Sequence, residues 1–197
     1  MMSDSLAPWR VALSRALHLN RSQPYSRYFQ LATITPEGFP KNRTVVFRGY
    51  LDNTNQIKIV TDLRSEKVNQ INYQPWGEIC WYFTKTREQF RLSGRLTLIT
   101  PNYPDSTLQK ERQLAWQQLS DSARLQFTWP EPGQLRIEDN SAFSAASPAP
   151  EHPLEHFCLL LLDPEKVDHL ELRGNPQNRC QYYLDESKNW IAQSINP

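Results

Sequence analysis

The heptapeptide TDLRSEK, residues 61–67, crowds Thr61, Asp62, Arg64, Ser65, Glu66 and Lys67 into one corner between an extended run and a helical one. Upstream, RTVVFR puts Arg43 and Arg48 at the two ends of a β-branched stretch, Thr44, Val45 and Val46. These residue types suit a phosphate. A phosphate monoester carries roughly −1.5 to −2 charges at neutral pH and presents three acceptor oxygens. Arginine can meet two of them at once, lysine acts as a point charge, and serine contributes one hydroxyl. A loop opening into a helix adds free backbone amides and the positive end of the helix dipole. A solvated turn explains either motif alone, whereas two such motifs in consecutive strands point to a bound anion. Strand parity sends Arg43 and Arg48 to opposite faces unless a bulge intervenes, so the two need not serve one ligand group.

The elements that must position these residues follow from periodicity and turn chemistry. Trp9, Leu13, Leu17 and Leu19 form the apolar stripe of an amphipathic helix spanning the first twenty residues. From Tyr28 to Thr61, β-forming content broken by PEG and by DNTNQ predicts three strands joined by short hairpins. Ser65 caps a short helix that Pro75 ends. EICWYFT is extended, KTRE is a tight connection, and QFRLSGRLTLI alternates, with Phe90, Leu92, Gly94, Leu96 and Leu98 on one face. Helical spacing returns from Ser106 to about Phe127 and stops at WPEPG. A proline-rich connection follows. FCLLLLD and VDHLELR then predict two strands turned by Pro164 and Glu165, and RCQYYLD and WIAQSI close the chain. About eight strands in meander order predict a mainly β chain with flanking helices, one domain over residues 1–197, folded as an antiparallel barrel.

Composition narrows the partners. Lys plus Arg number 22 against 21 Asp plus Glu, a net charge of +1, which argues against a broad nucleic-acid or membrane surface. No run approaches the ~18 apolar residues of a membrane span, and the first residues do not resemble a signal peptide. Cys80, Cys158 and Cys180 lie far apart with no C-x-x-C spacing, so a disulfide framework and a zinc site are not expected, and a reducing cytoplasm is. His152 and His156 sit among prolines that deny them a helix face. His18 and His169 stand alone, and no metal is expected.

LATITPEGFPKNRTVVFRGY, TDLRSEKVNQI and EICWYFTKTREQFRLSGR together resemble the pyridoxamine 5′-phosphate oxidase family of FMN-binding split β-barrels. The resemblance is strong over residues 27–100 and nearest to the oxidase-related branch, not the vitamin B6 enzyme itself. It implies FMN as cofactor, with Arg43 on its phosphate and Thr44, Val45 and Val46 on the strand along the flavin. Arg48 takes the place of a lysine near flavin and substrate, and is the candidate for electrostatic help in catalysis. Thr61 matches a threonine beside the ring. Ser65 and Lys67 match the phosphate end, where Arg64 stands in for an arginine that is Glu66 here. Gln89 matches a glutamine that reaches the flavin across a homodimer interface. Arg179, and more weakly Ser120 and Asp121, fill further contacts. Leu170 stands where the family has a flavin-flanking tryptophan. The Arg-x-His pair that holds pyridoxal phosphate is missing, with Asn175 and Gln177 near its place.

Three functions compete on these residues. In the first, an FMN-dependent oxidoreductase takes a hydride from a small molecule or a reduced nicotinamide. In the second, a non-catalytic protein stores or senses FMN. In the third, a small barrel binds nucleic acid through Arg87, Arg91 and Arg95. The ordered phosphate motifs and the near-neutral charge favour the first two.

Overall fold

The computed structural model describes residues 6–197, so the first part of the expected N-terminal helix lies outside the described residues. Helix α1 (Trp9–Asn20) buries Trp9, Leu13, Ala16 and Asn20 at spacings of four, three and four. Leu17 and Leu19, expected on the buried stripe, are half-buried at its margin. Trp9 meets the Trp190 ring edge-on, with centroids 6.0 Å apart. Strands β1 (Tyr28–Ile34) and β2 (Pro40–Val46) form the first hairpin, with Leu31 opposite Arg43. Gly38, at φ 86°, makes the turn.

The second expected hairpin is only a short stub. Strand β3 (Ile57–Asp62) pairs along its length with β6 (Phe157–Glu171), about a hundred residues away, and meets the end of the β2 side through the isolated Tyr50–Ile57 bridge and the Arg48–Lys58, Lys58–Gly49 and Leu51–Gln56 backbone bonds. Helix α2 (Glu66–Tyr73) follows, then β4 (Trp76–Phe83) and β5 (Glu88–Ile99). The sheet runs β2-β1-β4-β5-β6, then β7 (Asn178–Leu184) and β8 (Trp190–Ile195), with β3 joined to β6 off that path. The fold is thus mainly antiparallel β with flanking helices, a split barrel, but not a simple meander.

Strand β6 is one continuous element of 15 residues, where two strands and a turn were expected. Pro164 has no N–H to give a ladder, and β6 accommodates it at an irregularity: register shifts at Ser93/Gly94, opposite Pro164. A Cβ at Gly94 would lie 1.9 Å from the Asp163 carbonyl oxygen, so only glycine fits there. Before this point β6 pairs with β3, and after it with β7. One strand therefore changes partner at its proline.

The FCLLLL run is buried on both faces. Leu160 and Leu162 enter the barrel core with Phe29, Trp81, Phe90 and Leu92. Phe157, Leu159 and Leu161 pack outside it against Trp116 and Leu119. That outer layer comes from α3 (Ser106–Gln117) and α4 (Asp121–Leu125), two helices where one continuous helical run was expected, because Ser120 caps a new start. In the core Trp81 is wedged against Phe29, Phe47 and Phe83 at 4.8, 5.0 and 5.1 Å, and its indole N–H donates to the Ser26 carbonyl. No described helix is long and apolar enough to cross a membrane.

Candidate functional site

A cavity of about 560 Å³ opens between β2, β3, α2 and the segment 126–143. That volume is in the range of small-molecule and cofactor sites. Arg43, Thr44, Val45, Val46, Arg48, Thr61, Arg64 and Lys67 all line it. Parity failed for Arg48 because β2 ends at Val46. Phe47 turns inward against Trp81, and the Arg48 amide then donates to the Lys58 carbonyl at 2.9 Å. Gly49, at φ 101°, permits the bend. Past it, Arg43 and Arg48 share one cavity. β2 is also the terminal strand of the sheet, so Thr44–Val46 carry backbone groups that no further strand pairs.

The cations of this cavity differ in what they already hold. Arg43 donates to the Thr33 hydroxyl (2.6 Å) and the Gln70 side-chain oxygen (2.8 Å), both uncharged. Lys67 donates to Thr61 Oγ1 (3.0 Å) and Ser65 Oγ (2.5 Å). Ser65 thus sits at the N-terminus of α2 as an acceptor for Lys67, with no side-chain capping bond of its own. Among the described residues neither Arg43, Arg48 nor Lys67 has a carboxylate within ion-pair distance. Burial, reinforced by Arg43, drives the Lys67 ammonium down to about 8. Burial also lowers Arg43, and burial with the nearby Arg27 lowers Arg48. The buried Arg48 Nε and Gln70 Nε2 have no hydrogen-bond partner. A half-buried positive cluster with idle donors fits the dianionic phosphate of a nucleotide.

Arg64 is a correction to the expected phosphate set. Its guanidinium forks onto Asp62 (Nε–Oδ1 3.0 Å, Nη2–Oδ2 2.6 Å) and donates to the carbonyls of Phe127 and Trp129. Its charge is matched by a carboxylate, and it fastens the 126–137 segment to the TDLRSEK corner. That segment was missed as part of the site: Trp129, Leu135, Ile137 and Phe143 form its apolar wall. Its prolines and glycine gave only a helix-stop signal.

Gln89 and Arg179 lie elsewhere. Gln89 stands opposite Leu170, and Leu170 opposite Arg179, a row across β5, β6 and β7. Arg179 is bidentate on Asp168 (3.0 and 2.8 Å), which also accepts from Arg91 and Gln181. The donors around it hold the Asp168 carboxyl at about 2 despite its burial. Arg91 is therefore already paired. Ser120 caps α4, Asp121 pairs with Arg124, and neither lines the cavity. His169, expected to stand alone, hydrogen-bonds Glu88 at 3.0 Å and stacks on Phe90.

The fold and cavity define a split barrel with a cation-lined cavity at the corner between β3 and α2. The family model described as pyridoxamine 5′-phosphate oxidase, FMN-binding domain matches residues 6–100. A relative named pyridoxine/pyridoxamine 5′-phosphate oxidase 2, from Arabidopsis thaliana, is 39% identical over 198 residues, covering 100% of both chains. A crystal structure of a pyridoxamine 5′-phosphate oxidase-related, FMN binding protein from Nostoc punctiforme is similar at 57% identity and a TM-score of 0.95, covering 98% of this chain and 100% of that one. PhzG from Burkholderia lata, solved with tetrahydrophenazine-1-carboxylic acid, shares the fold at 18% identity and a TM-score of 0.79, over 95% of this chain and 92% of its own. The chain belongs to the pyridoxamine 5′-phosphate oxidase family of FMN-binding proteins, and its cofactor is FMN.

Proposed function

We propose that this protein is an FMN-dependent oxidoreductase, a single FMN-binding domain that works as a homodimer. The observation that carries the proposal is the group of three cations, Arg43, Arg48 and Lys67, that line one cavity without a carboxylate partner. Arg43 and Lys67 hold the cofactor phosphate, with Ser65 and Thr61 beside them. The backbone of Thr44–Val46 runs along the ring. Bound FMN supplies hydride acceptance and onward electron transfer. The protein orients the donor, and Trp129, Leu135, Ile137 and Phe143 give the cavity an apolar side that is open to solvent in the single chain. Arg48, at the cavity but outside the Arg43–Gln70 network, stabilises negative charge on the reacting partners.

Gln89 and Arg179 do not line this cavity, and we assign them, on the family pattern, to the flavin held by a second copy of the chain. A homodimer completes both sites, and dilution releases FMN as the chains part. The three free cysteines fit a reducing cytoplasm.

The donor is a small molecule or a reduced nicotinamide. The name of the Arabidopsis relative makes pyridoxamine 5′-phosphate a donor to test, but the residues near the place of the Arg-x-His pair are Asn175 and Gln177, which carry no charge. That substitution favours the second reading, a protein that binds FMN without turnover. Anaerobic mixing of the FMN-loaded protein with NADPH, NADH or pyridoxamine 5′-phosphate separates the two. Bleaching of the flavin band at a catalytic rate with any donor is the expected result. A band that stays unbleached with all of them supports the storage or sensing reading instead.

A further inference from the structure

A second cluster of chemical side chains lies outside the flavin cavity, where β5 begins and β6 ends. Glu88 stands opposite Glu171, and Phe90 opposite His169, so Glu88, His169 and Glu171 share one face of the sheet. Their ligand atoms all lie within 4.8 Å of one another. His169 Nε2 is 3.0 Å from Glu88 Oε2. The imidazole lies flat on Phe90, 4.0 Å between centroids and 9° between planes, which fixes its orientation.

Two further features separate this cluster from a chance meeting of charges. Glu88 has Thr86 beside it, which helps hold its carboxyl below the usual range, and the Thr86 hydroxyl accepts from Nδ2 of the buried Asn20 at 3.1 Å. Metal-ligating carboxylates are commonly tied in this way by an outer hydrogen-bond shell. A cavity of about 310 Å³ also opens on His169 and Glu171, with Asn178 and Cys180 in its wall, leaving room for coordinated water. Glu88 and His169 are themselves almost fully buried, at 3% and 6% exposure.

We propose that Glu88, His169 and Glu171 bind a divalent transition-metal ion of the zinc type, with water from the adjoining cavity completing the coordination. One imidazole nitrogen with two carboxylate oxygens suits zinc, cobalt or manganese better than calcium or magnesium, which favour all-oxygen shells. The bound ion clips the start of β5 to the end of β6. Arg179, assigned above to the flavin of a second copy, also lines this cavity, so the proposal is read from metal uptake and melting and not from flavin binding.

The test uses the full chain, stripped with a chelator and titrated with Zn²⁺, and with Co²⁺ followed by its visible absorption. Wild type should take up one ion per chain at low micromolar concentration or below and melt at a higher temperature when loaded. Glu171→Ala removes a half-buried ligand but leaves the Glu88–His169 pair intact, so the chain should still fold. Its affinity should fall by at least roughly tenfold, and its melting temperature should no longer respond to the metal. A wild type that takes up no ion at tens of micromolar overturns the proposal. So does a folded Glu171→Ala that binds as tightly as wild type.

Discussion

The cavity beside α2 and the ladder around Asp168 both gather basic side chains, yet they are opposites electrostatically. At the cavity, Arg43, Arg48 and Lys67 are half-buried with no carboxylate partner among the described residues, and partial burial lowers the proton affinity of all three. On the ladder, Arg91 and Arg179 converge on one carboxylate, which is held at about 2 while Arg179 is raised. The first arrangement costs stability until an anion arrives. The second is complete in the folded chain. Cations in a fold are therefore better sorted by what neutralises them than by how many there are. Arg64 makes the point within the cavity itself, where its pairing with Asp62 turns it from ligand holder into tether.

The sharpest way to break this contrast is to remove the unpaired cations. Arg43→Ala with Lys67→Ala should weaken FMN binding by roughly 10²- to 10⁴-fold, since a hydrogen bond to a charged group contributes about 1.5–3 kcal/mol. Fluorescence titration measures the loss, and circular dichroism should show the fold retained.

A pH series tests the depressed lysine. Lys67 is lowered from 10.5 to about 8, so the ammonium proposed to grip the phosphate is lost as pH rises through that value. FMN affinity should fall roughly tenfold between about pH 7 and 9, where the phosphate stays dianionic. In Lys67→Met the profile should be flat. The contribution of Lys67 to the stability of the cofactor-free protein runs the other way, rising from about 8 towards 10.5 as the unfolded chain binds the extra proton.

On the ladder the expected loss is in folding. Asp168 is lowered from 3.8 to about 2, so its contribution is present above the higher value and is lost as pH falls through the lower one. Asp168→Asn should cost about 2 kcal/mol in denaturant unfolding at neutral pH, with a smaller effect on FMN than the cavity variants. The mildest change is Arg64→Lys, which keeps the charge but loses the fork onto Asp62 and the carbonyls of Phe127 and Trp129. It should cost about 1 kcal/mol of stability and raise proteolytic cleavage within 126–137.

The sequence disclosed what is local. The β1–β2 hairpin, the alternation of β5 and the Ser65–Lys67 corner are written in neighbouring residues, and the family motifs fixed the cofactor. What it concealed is non-local. The run FCLLLLDPEKVDHLE hides a single strand because Pro164 resembles a turn until Gly94, seventy residues earlier, makes space for it. Pairing of β3 with β6 leaves no mark within either segment. His169 looked solitary because its partner is on β5. Strand parity misplaced Arg48 because nothing in RTVVFR announces that the strand ends at Val46. The cavity wall at Trp129 and Leu135 is held by Arg64, sixty-odd residues upstream.

One comparison tests the central claim most directly: the affinity of the cofactor-free protein for FMN and for riboflavin, which lacks the phosphate. The account predicts that FMN binds at least roughly a hundredfold tighter, and that the Arg43→Ala, Lys67→Ala double variant erases the difference. Equal affinity of the wild type for both flavins, or a preference that survives in the double variant, would place the phosphate somewhere other than beside Arg43 and Lys67.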